Sequence, residues 1–184
     1  MGGTIQPLLH THRQALERAR KKMNLVGPGP VDLHYRDCAE AVRDLNPRGR
    51  WADLGTGAGF PGIVFAAHHP DVPLDLVDSR RKRCAFLERV LAEGRAPATV
   101  QVRCTRIEDL PAGSYDGVMA RALAQPEVVL GHAARLLRPG GRCVVMLTGQ
   151  QPMPSHSGLG EPTTRAYEVE GKARVVATWT RCST

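Results

Sequence analysis

The sequence predicts an α/β protein in which helices cover both faces of a seven-stranded, mostly parallel sheet behind an N-terminal helical extension. Short apolar runs, typical of buried strands, alternate with longer segments of helical periodicity. A glycine-rich turn joins the first strand to the following helix, as in Rossmann-like units. Two final strand-like segments meet at Gly171 and predict an antiparallel hairpin. With 184 residues we expect one compact domain, made of an extension over residues 1–48 and a sheet domain over residues 49–184.

The extension is predicted to contain two helices. The first carries an apolar stripe at steps of three and four residues, formed by Leu9, His12, Leu16, Ala19 and Met23. Its other face is basic at residues 18–22, which indicates either a solvated surface or a phosphate contact. The second helix is predicted over residues 32–45, with Asp32 as its N-cap and Pro47 beyond its end.

An apolar strand over residues 51–54 runs directly into a glycine loop. Glycine permits positive φ and brings bare backbone N–H groups against a ligand, and the helix start adds unpaired donors. Gly55, Gly57 and Gly59 have the GxGxG spacing of S-adenosylmethionine enzymes, whereas Gly57, Gly59 and Gly62 satisfy the GxGxxG dinucleotide pattern. The loop therefore predicts a nucleoside-containing ligand and leaves its identity open.

Asp53, two positions before the first glycine, bears on that choice. A carboxylate about 5 Å from a pyrophosphate charge would be repelled by roughly 3 kcal/mol at an effective dielectric constant near 20. S-adenosylmethionine instead carries a cationic sulfonium and an ammonium group. Asp53 therefore favours S-adenosylmethionine, while a dinucleotide site and a turn built only for packing remain as alternatives.

Further ligand contacts are expected where the next strands end, because the carboxyl ends of parallel strands share one edge of a sheet. Asp78 ends the second strand and either accepts hydrogen bonds from ribose hydroxyls or caps the next helix. Glu108 or Asp109, after the third strand, is placed to meet an adenine amino group. Arg121 ends the fourth strand and is either a substrate or phosphate contact or half of a structural ion pair.

The other elements follow from the same periodicities. The predicted strands span residues 51–54, 74–77, 99–104, 115–120, 143–147, 167–169 and 174–180. Helices are expected from the glycine loop to residue 68, over 80–94 and over 126–137, and residues 151–162 are expected to loop out. The second of these helices begins with four cations, Arg80, Arg81, Lys82 and Arg83. They oppose the helix dipole, which favours an anionic partner, although a solvated face is the alternative.

The composition limits the classes of partner and binding site that we expect. Lys and Arg outnumber Asp and Glu by 25 to 18, which gives a net charge of +7 and favours nucleic acid as a partner. The five cysteines are widely spaced and form no CxxC pair, so we expect reduced thiols and neither a zinc site nor a disulfide framework. No signal peptide or membrane-length apolar run is visible. We therefore expect a cytoplasmic monomer without a metal.

Two segments carry a resemblance to a known family. They read DLGTGAGFPGI at residues 53–63 and DSRRKRCAFL at residues 78–87. They resemble the bacterial family that methylates N7 of one guanine in 16S ribosomal RNA, the small-subunit methyltransferase G or glucose-inhibited division protein B family. Residues 120–124, Ala-Arg-Ala-Leu-Ala, are similar to its Ser-Arg-Ala-Phe-Ala segment.

The resemblance implies a class I methyltransferase fold, S-adenosyl-L-methionine as cofactor, and 16S ribosomal RNA or a small-subunit assembly intermediate as partner. It implies that the cofactor lies on Gly55 and Phe60, on Ile107 and Glu108, and near Arg121. With the residues argued above, the predicted cofactor site comprises Asp53, Gly55, Gly57, Gly59, Phe60, Asp78, Ile107, Glu108 and Arg121.

The resemblance also has departures. Leu33 stands where the family has an arginine and Thr148 where it has a lysine. Guanine N7 carries a lone pair and no proton, so methyl transfer needs no general base and depends mainly on alignment. Arg121 is the one residue assigned a catalytic part, which is to hold the guanine or a phosphate. A small-molecule methyltransferase and an RNA-associated binding module without turnover are the alternatives.

Overall fold

The computed structural model describes residues 5–23, 25, 27, 29–149 and 153–183, and within the first helix it describes the side chains of residues 7–19. The helices are α1 Ile5–Met23, α2 Val31–Val42, α3 Gly62–His68, α4 Arg81–Glu93 and α5 Pro126–Leu136, with a short 3-10 turn at Ile107–Asp109. The strands are β1 Trp51–Leu54, β2 Leu74–Asp78, β3 Val100–Cys104, β4 Tyr115–Arg121, β5 Leu137–Thr148, β6 Thr163–Val169 and β7 Lys172–Thr180.

The seven strands form one sheet in the order β3-β2-β1-β4-β5-β7-β6. The first five pair in parallel, and β7 runs antiparallel to both of its neighbours. The predicted sheet and its closing hairpin are therefore confirmed. Among the described residues, no helix has the length and apolar character needed to cross a membrane.

Both faces of the sheet are covered, because successive strand residues point to opposite sides. On β4, Met119 packs with the cluster under α1 to α4, whereas Val118 and Ala120 pack with the cluster under α5. Leu8 and Leu16 of α1 belong to the first of these clusters. The N-terminal helices and the sheet thus share a core.

Several predicted element boundaries differ from the structure. Helix α2 runs over Val31–Val42 instead of residues 32–45, and its N-cap is Pro30. Asp32 therefore lies in the first turn, where its carboxylate pairs with Arg13 at 2.7 Å. Most of the predicted basic cluster at residues 18–22 lies outside the described side chains. Arg18, which is described, is exposed.

The last strands are longer than predicted. Strand β5 begins at Leu137, immediately after α5, because a shift in pairing between Tyr115 and Gly117 lets it join β4 before the apolar run. Strand β6 extends back to Thr163 at the edge of the sheet, where its alternate side chains face solvent. An edge strand needs no apolar run, and the polar residues of β6 therefore gave no strand pattern before residue 167.

The strand order indicates which edge of the sheet binds ligands. The strand order reverses direction at β1 and β4, which pair in register from Trp51↔Gly117 to Leu54↔Ala120. In open α/β sheets, ligands bind in the crevice outside the carboxyl ends of the strands at such a switch point. The glycine loop after β1 and Arg121 at the end of β4 lie at this edge.

Candidate active site

The glycine loop adopts the backbone that its composition predicts. Gly55, Gly57 and Gly59 all have positive φ, at 65°, 58° and 102°. A Cβ atom on Gly55 would collide with Leu123, and one on Gly59 would lie 2.7 Å from Ile63 Cγ1. At Gly57 the nearest atom to such a Cβ is 3.7 Å away. Two of the glycines therefore allow close packing, and the third leaves the loop open toward the cleft.

Asp53 lies beneath this loop. Its carboxylate is fully buried, and Oδ2 accepts hydrogen bonds from Thr56 Oγ1 at 2.6 Å and from the Gly62 backbone N–H at 2.8 Å. Burial raises the pKa of Asp53 to about 7, while these two hydrogen bonds act to lower it. Asp53 lines neither cavity described below, so the geometry does not support the predicted direct contact with a cationic ligand. It fixes the loop to the start of α3 instead.

Asp78 has one of the two roles predicted for it, support of the next helix, and is placed so that the other, a ribose contact, stays a prediction. Its Oδ1 accepts the Arg80 backbone N–H at 2.8 Å, which supports the beginning of α4. Its Oδ2 accepts the Gly57 backbone N–H at 3.0 Å and lies 3.4 Å from Arg83 Nη1. The same carboxylate borders the cleft, where an exposed ribose hydroxyl is a suitable donor to it.

The cleft consists of two adjoining cavities of about 470 and 460 Å³. They share the loop at Gly55, the side chain of Arg83 and the segment of residues 122–124 after β4. The first cavity extends toward α2 and the ends of β4, β5 and β7. The second lies over the end of β2 and the 3-10 turn. Their continuity suits one elongated ligand with a second reactant beside it.

Ile107 and Glu108, which the resemblance assigns to the cofactor, border the second cavity. Arg135 of α5 holds the turn by donating to the carbonyl oxygens of Ile107 and Leu110, each at 2.6 Å. The Glu108 carboxylate is 64% exposed and lies 3.8 Å from His132 Nε2. It is therefore free to turn toward a ligand amino group.

Arg121 is at once an ion-pair partner and a wall of the first cavity. Its Nη2 lies 3.0 Å from Asp37 Oδ2 and donates to His34 Nδ1 at 2.9 Å. Its guanidinium stands over the Phe60 ring, with Cζ 5.7 Å from the centroid. The side chain keeps 20% of its surface exposed in the cavity. The predicted ion pair is therefore present, and the substrate or phosphate contact stays a prediction that the exposed part of the side chain allows.

Asp37, which sequence reasoning did not select, organises this wall. Besides Arg121, its carboxylate accepts the Tyr167 hydroxyl at 2.7 Å and lies 3.7 Å from Arg174 Nε. The side chain is buried, so the N-terminal extension contributes a carboxylate to the site. The signal available in the sequence was its place four residues after Leu33, the position at which the family has an arginine.

His12 was predicted only as part of an apolar stripe, but it supports the glycine loop. Its ring is fully buried, with Nε2 2.6 Å from the Ala58 carbonyl oxygen and Nδ1 2.7 Å from the Tyr35 hydroxyl. A carbonyl oxygen only accepts, so Nε2 carries a proton, and a neutral ring then accepts the Tyr35 hydroxyl at Nδ1. Burial lowers the pKa of His12 to about 4, which keeps it neutral at physiological pH.

Arg174 could not be found from sequence, because its position depends on strand register. It pairs directly with Thr148 across β5 and β7, and both residues line the first cavity. A cation thus lies opposite the threonine that departs from the family's lysine. Of the four cations at the start of α4, Arg80 and Arg83 line the cleft, whereas Arg81 and Lys82 are exposed outside both cavities.

Comparison with known proteins bears directly on this site. The GidB family model, described as rRNA small subunit methyltransferase G, matches residues 5–161. A relative of that name from Novosphingobium aromaticivorans is 40% identical over 126 residues, covering 65% of this chain and 54% of the relative. One from Symbiobacterium thermophilum is 36% identical over 160 residues, covering 79% of this chain and 64% of the relative. The chain thus spans 54 to 64% of the length of these two relatives.

Solved structures show the same fold. Cofactor-bound Rv0187 from MTB superposes with a TM-score of 0.67 at 18% identity, covering 97% of this chain and 91% of that one. An RNA methyltransferase from Salinibacter ruber in complex with S-adenosyl-L-homocysteine superposes with a TM-score of 0.59 at 18% identity, covering 86% and 95%. These likenesses establish the fold of class I S-adenosylmethionine-dependent methyltransferases. Among the described residues, no group of three or more His, Cys, Asp or Glu side chains is placed to hold a metal ion.

Proposed function

Because the chain belongs to the rRNA small subunit methyltransferase G family, we propose that it transfers a methyl group from S-adenosyl-L-methionine to N7 of a guanine in 16S ribosomal RNA. The observation that carries the proposal is the continuous cleft. One half is bordered by Asp78, Ile107 and Glu108, and the other by the open glycine loop together with Arg121 and Arg174. The halves match a nucleoside cofactor and an anionic acceptor in contact.

The described residues fit the cofactor. Gly57 leaves room for a ligand against the backbone, and Asp78 offers a carboxylate to ribose hydroxyls. Ile107 gives an apolar surface to the adenine, with Glu108 beside it to accept from its amino group. When bound, S-adenosyl-L-methionine supplies an electrophilic methyl group on its sulfonium.

Around the acceptor, this chain's residues orient the guanine and do not transfer protons. Among the described residues that line the first cavity, Asp37 is the one carboxylate, and it is engaged by Arg121 and Tyr167. Guanine N7 has no proton to lose, so a site without a disengaged carboxylate base suits it. Alignment of the reactants can contribute up to about 7–11 kcal/mol to such a step. We assign to Arg121 the holding of the guanine or a neighbouring phosphate.

The test is transfer of labelled methyl groups to 16S RNA and to small subunits that lack the modification, followed by mapping of the product. We expect one modified guanine, with Arg121→Ala losing more in transfer rate than in cofactor affinity. Cofactor binding without transfer to RNA would favour a binding module, and transfer to a small molecule instead would favour the other alternative. Comparing the two RNA substrates also tests whether the partner is naked RNA or an assembling subunit.

We further propose that the protein acts as a monomer in the cytoplasm, where small subunits are assembled. The cleft supports this, since α2, the glycine loop and the strand ends of a single chain complete it. Sedimentation of the active protein tests this oligomeric state.

A further inference from the structure

We propose that Arg121 and Arg174 together bind a phosphate group of the acceptor nucleotide at the mouth of the first cavity. The proposal rests on the proposed function and specifies how the acceptor half of the cleft recognises RNA. It assigns to Arg174 a part that neither the sequence nor the resemblance indicates.

The first support is a surplus of positive charge around one carboxylate. Arg121 Nη2 lies 3.0 Å from Asp37 Oδ2, and Arg174 Nε lies 3.7 Å from Asp37 Oδ1. Tyr167 also donates to that Oδ1, at 2.7 Å. Two guanidinium groups therefore share a single carboxylate that is already hydrogen bonded. Within the part of the chain that the structure describes, one positive charge remains to be balanced in a half-buried wall, where charges are weakly screened.

The second support is an unmet donor. Arg174 Nε is buried and has no hydrogen-bond partner among the described residues, since 3.7 Å to Asp37 is too long for a hydrogen bond. Buried donors in native proteins are almost always paired, and a charged one especially so. The protein therefore coordinates this guanidinium incompletely, and an oxyanion in the first cavity, which Arg174 lines, would add acceptors to it.

The third support is placement. Strand order puts β5 between β4 and β7, so the two arginines approach the cavity from either side of β5. Two strand spacings separate their strands by about 10 Å, a span that two arginine side chains close from both sides. Thr148, the direct partner of Arg174, lines the cavity between them and adds no charge. The result is a pair of planar cations facing one position, which suits a phosphate with its several acceptor oxygens.

A phosphate is favoured over the other oxyanion available in this cleft, the carboxylate of the cofactor itself. Arg83 lies 3.4 Å from Asp78 at the end of β2, where a cofactor ribose is expected, whereas Arg174 stands on β7, four strands farther along the sheet. The two sources predict different losses when Arg174 is changed. If Arg174 binds an RNA phosphate, its substitution lowers the affinity for RNA. If it binds the carboxylate of the cofactor, its substitution lowers the affinity for the cofactor.

The experiment measures binding of guanosine and of guanosine 5′-monophosphate to protein saturated with S-adenosylhomocysteine. The parent should bind the monophosphate about tenfold more tightly than the nucleoside, as expected for a charge-assisted pair. Arg174→Gln should remove this difference, and Arg174→Lys should keep part of it. Lys172→Gln is the matched control, because it removes one charge two residues away on the same strand, outside both cavities, and should keep the full difference.

Equal binding of the two probes to the parent would overturn the proposal, as would a preference that survives Arg174→Gln. A loss of S-adenosylhomocysteine affinity in Arg174→Gln would assign the arginine to the cofactor carboxylate instead. The methyl-transfer assay on the parent separates this proposal from the proposed function. Phosphate preference without transfer to 16S RNA rejects the function and keeps the site, and transfer without phosphate preference rejects the site alone.

Discussion

At the scale of single residues, Gly57 is the loop position where a side chain has room but would project into the cleft. Gly57→Val should abolish measurable S-adenosylmethionine binding, because its methyl groups occupy the surface against which the ligand must lie. Calorimetry on the folded variant measures this. Gly113→Val is the control, since Gly113 has φ of 60°, open space around it and a place outside both cavities.

Both substitutions force a valine into the left-handed region, which costs about 1–2 kcal/mol of stability. Their melting temperatures should therefore fall by similar amounts, and only the Gly57 variant should lose the cofactor. Equal cofactor affinity in the two variants would remove Gly57 from the binding surface.

His12 and Asp53 give opposite pH dependences of stability on either side of the same loop. Burial lowers the pKa of His12 to about 4, so its contribution to stability is complete above pH 6.5 and is lost as pH falls toward 4. Burial raises the pKa of Asp53 from 3.8 to about 7, so its contribution is complete below pH 3.8 and is lost as pH rises toward 7. Each amounts to a few kcal/mol, so between about pH 4 and 6.5 they largely cancel in the parent.

Removing either titrating group should reveal the pH dependence of stability that the other one causes. In His12→Gln, which has an amide N–H in place of Nε2–H but does not titrate, the urea midpoint should fall as pH rises from 3.8 to about 7, the interval between the ordinary and the shifted pKa of Asp53. In Asp53→Asn the urea midpoint should rise as pH rises from about 4 to 6.5, the interval between the shifted and the ordinary pKa of His12. Parallel curves for the two variants would show that these groups do not titrate as the buried geometry requires.

At the scale of elements, helix α4 begins with cations that work against its own stability. Arg81 and Lys82 are exposed in its first turn, where positive charge opposes the helix dipole. Arg81→Gln with Lys82→Gln should therefore stabilise the protein by about 0.3–1 kcal/mol per charge removed. The same change should weaken RNA binding and lower its salt slope by about one unit for each phosphate that the helix no longer binds.

The matched control for α4 is Arg89→Gln with Arg95→Gln, which removes the same charge near the other end of the helix. Filter binding of RNA at several salt concentrations gives the slopes. If both double variants weaken binding equally, the effect is one of overall charge, and α4 itself does not bind RNA.

The elements were predictable wherever burial leaves a pattern. Strands β1, β2 and β4 are apolar because helices cover both of their faces, and the glycine loop reads directly as a positive-φ turn. The edge strand β6 has no such requirement and was predicted too short. Asp32 was wrong as an N-cap, because an acid in a first turn has the same composition signal as a cap.

The site was only partly predictable for a related reason. Asp78 and Arg121 lie at strand ends, and strand ends can be located along the sequence. Asp37 and Arg174 reach the cleft through the packing of α2 and through the register of β7 on β5, which depend on contacts distant in sequence. Asp53 was predicted to face the ligand from the glycine loop, but its side chain lies on the buried side of that loop. The sequence does not show which face of a turn a side chain takes.

At the scale of the whole molecule, the net charge of +7 matters less than where its charges stand. Thr148 and Arg174 are direct cross-strand partners, so their side chains share one face with Cβ atoms about 4.5–5.5 Å apart. A lysine at 148 can therefore bring its ammonium to the wall that Arg174 occupies. Combining Thr148→Lys with Arg174→Gln moves one cation across the strand pair and leaves the net charge unchanged.

This exchange gives a prediction for methyl transfer to RNA, measured as initial rates at saturating cofactor. Arg174→Gln should lower the rate at subsaturating RNA about tenfold, the effect expected of one charge-assisted hydrogen bond. Thr148→Lys alone should change the rate little, because Arg174 already supplies the cation. The combined variant should recover most of the missing rate, since a lysine on an exposed strand end fills the same position at little cost in stability. A combined variant no better than Arg174→Gln would mean that the fork of the guanidinium, rather than its charge, is what the acceptor requires.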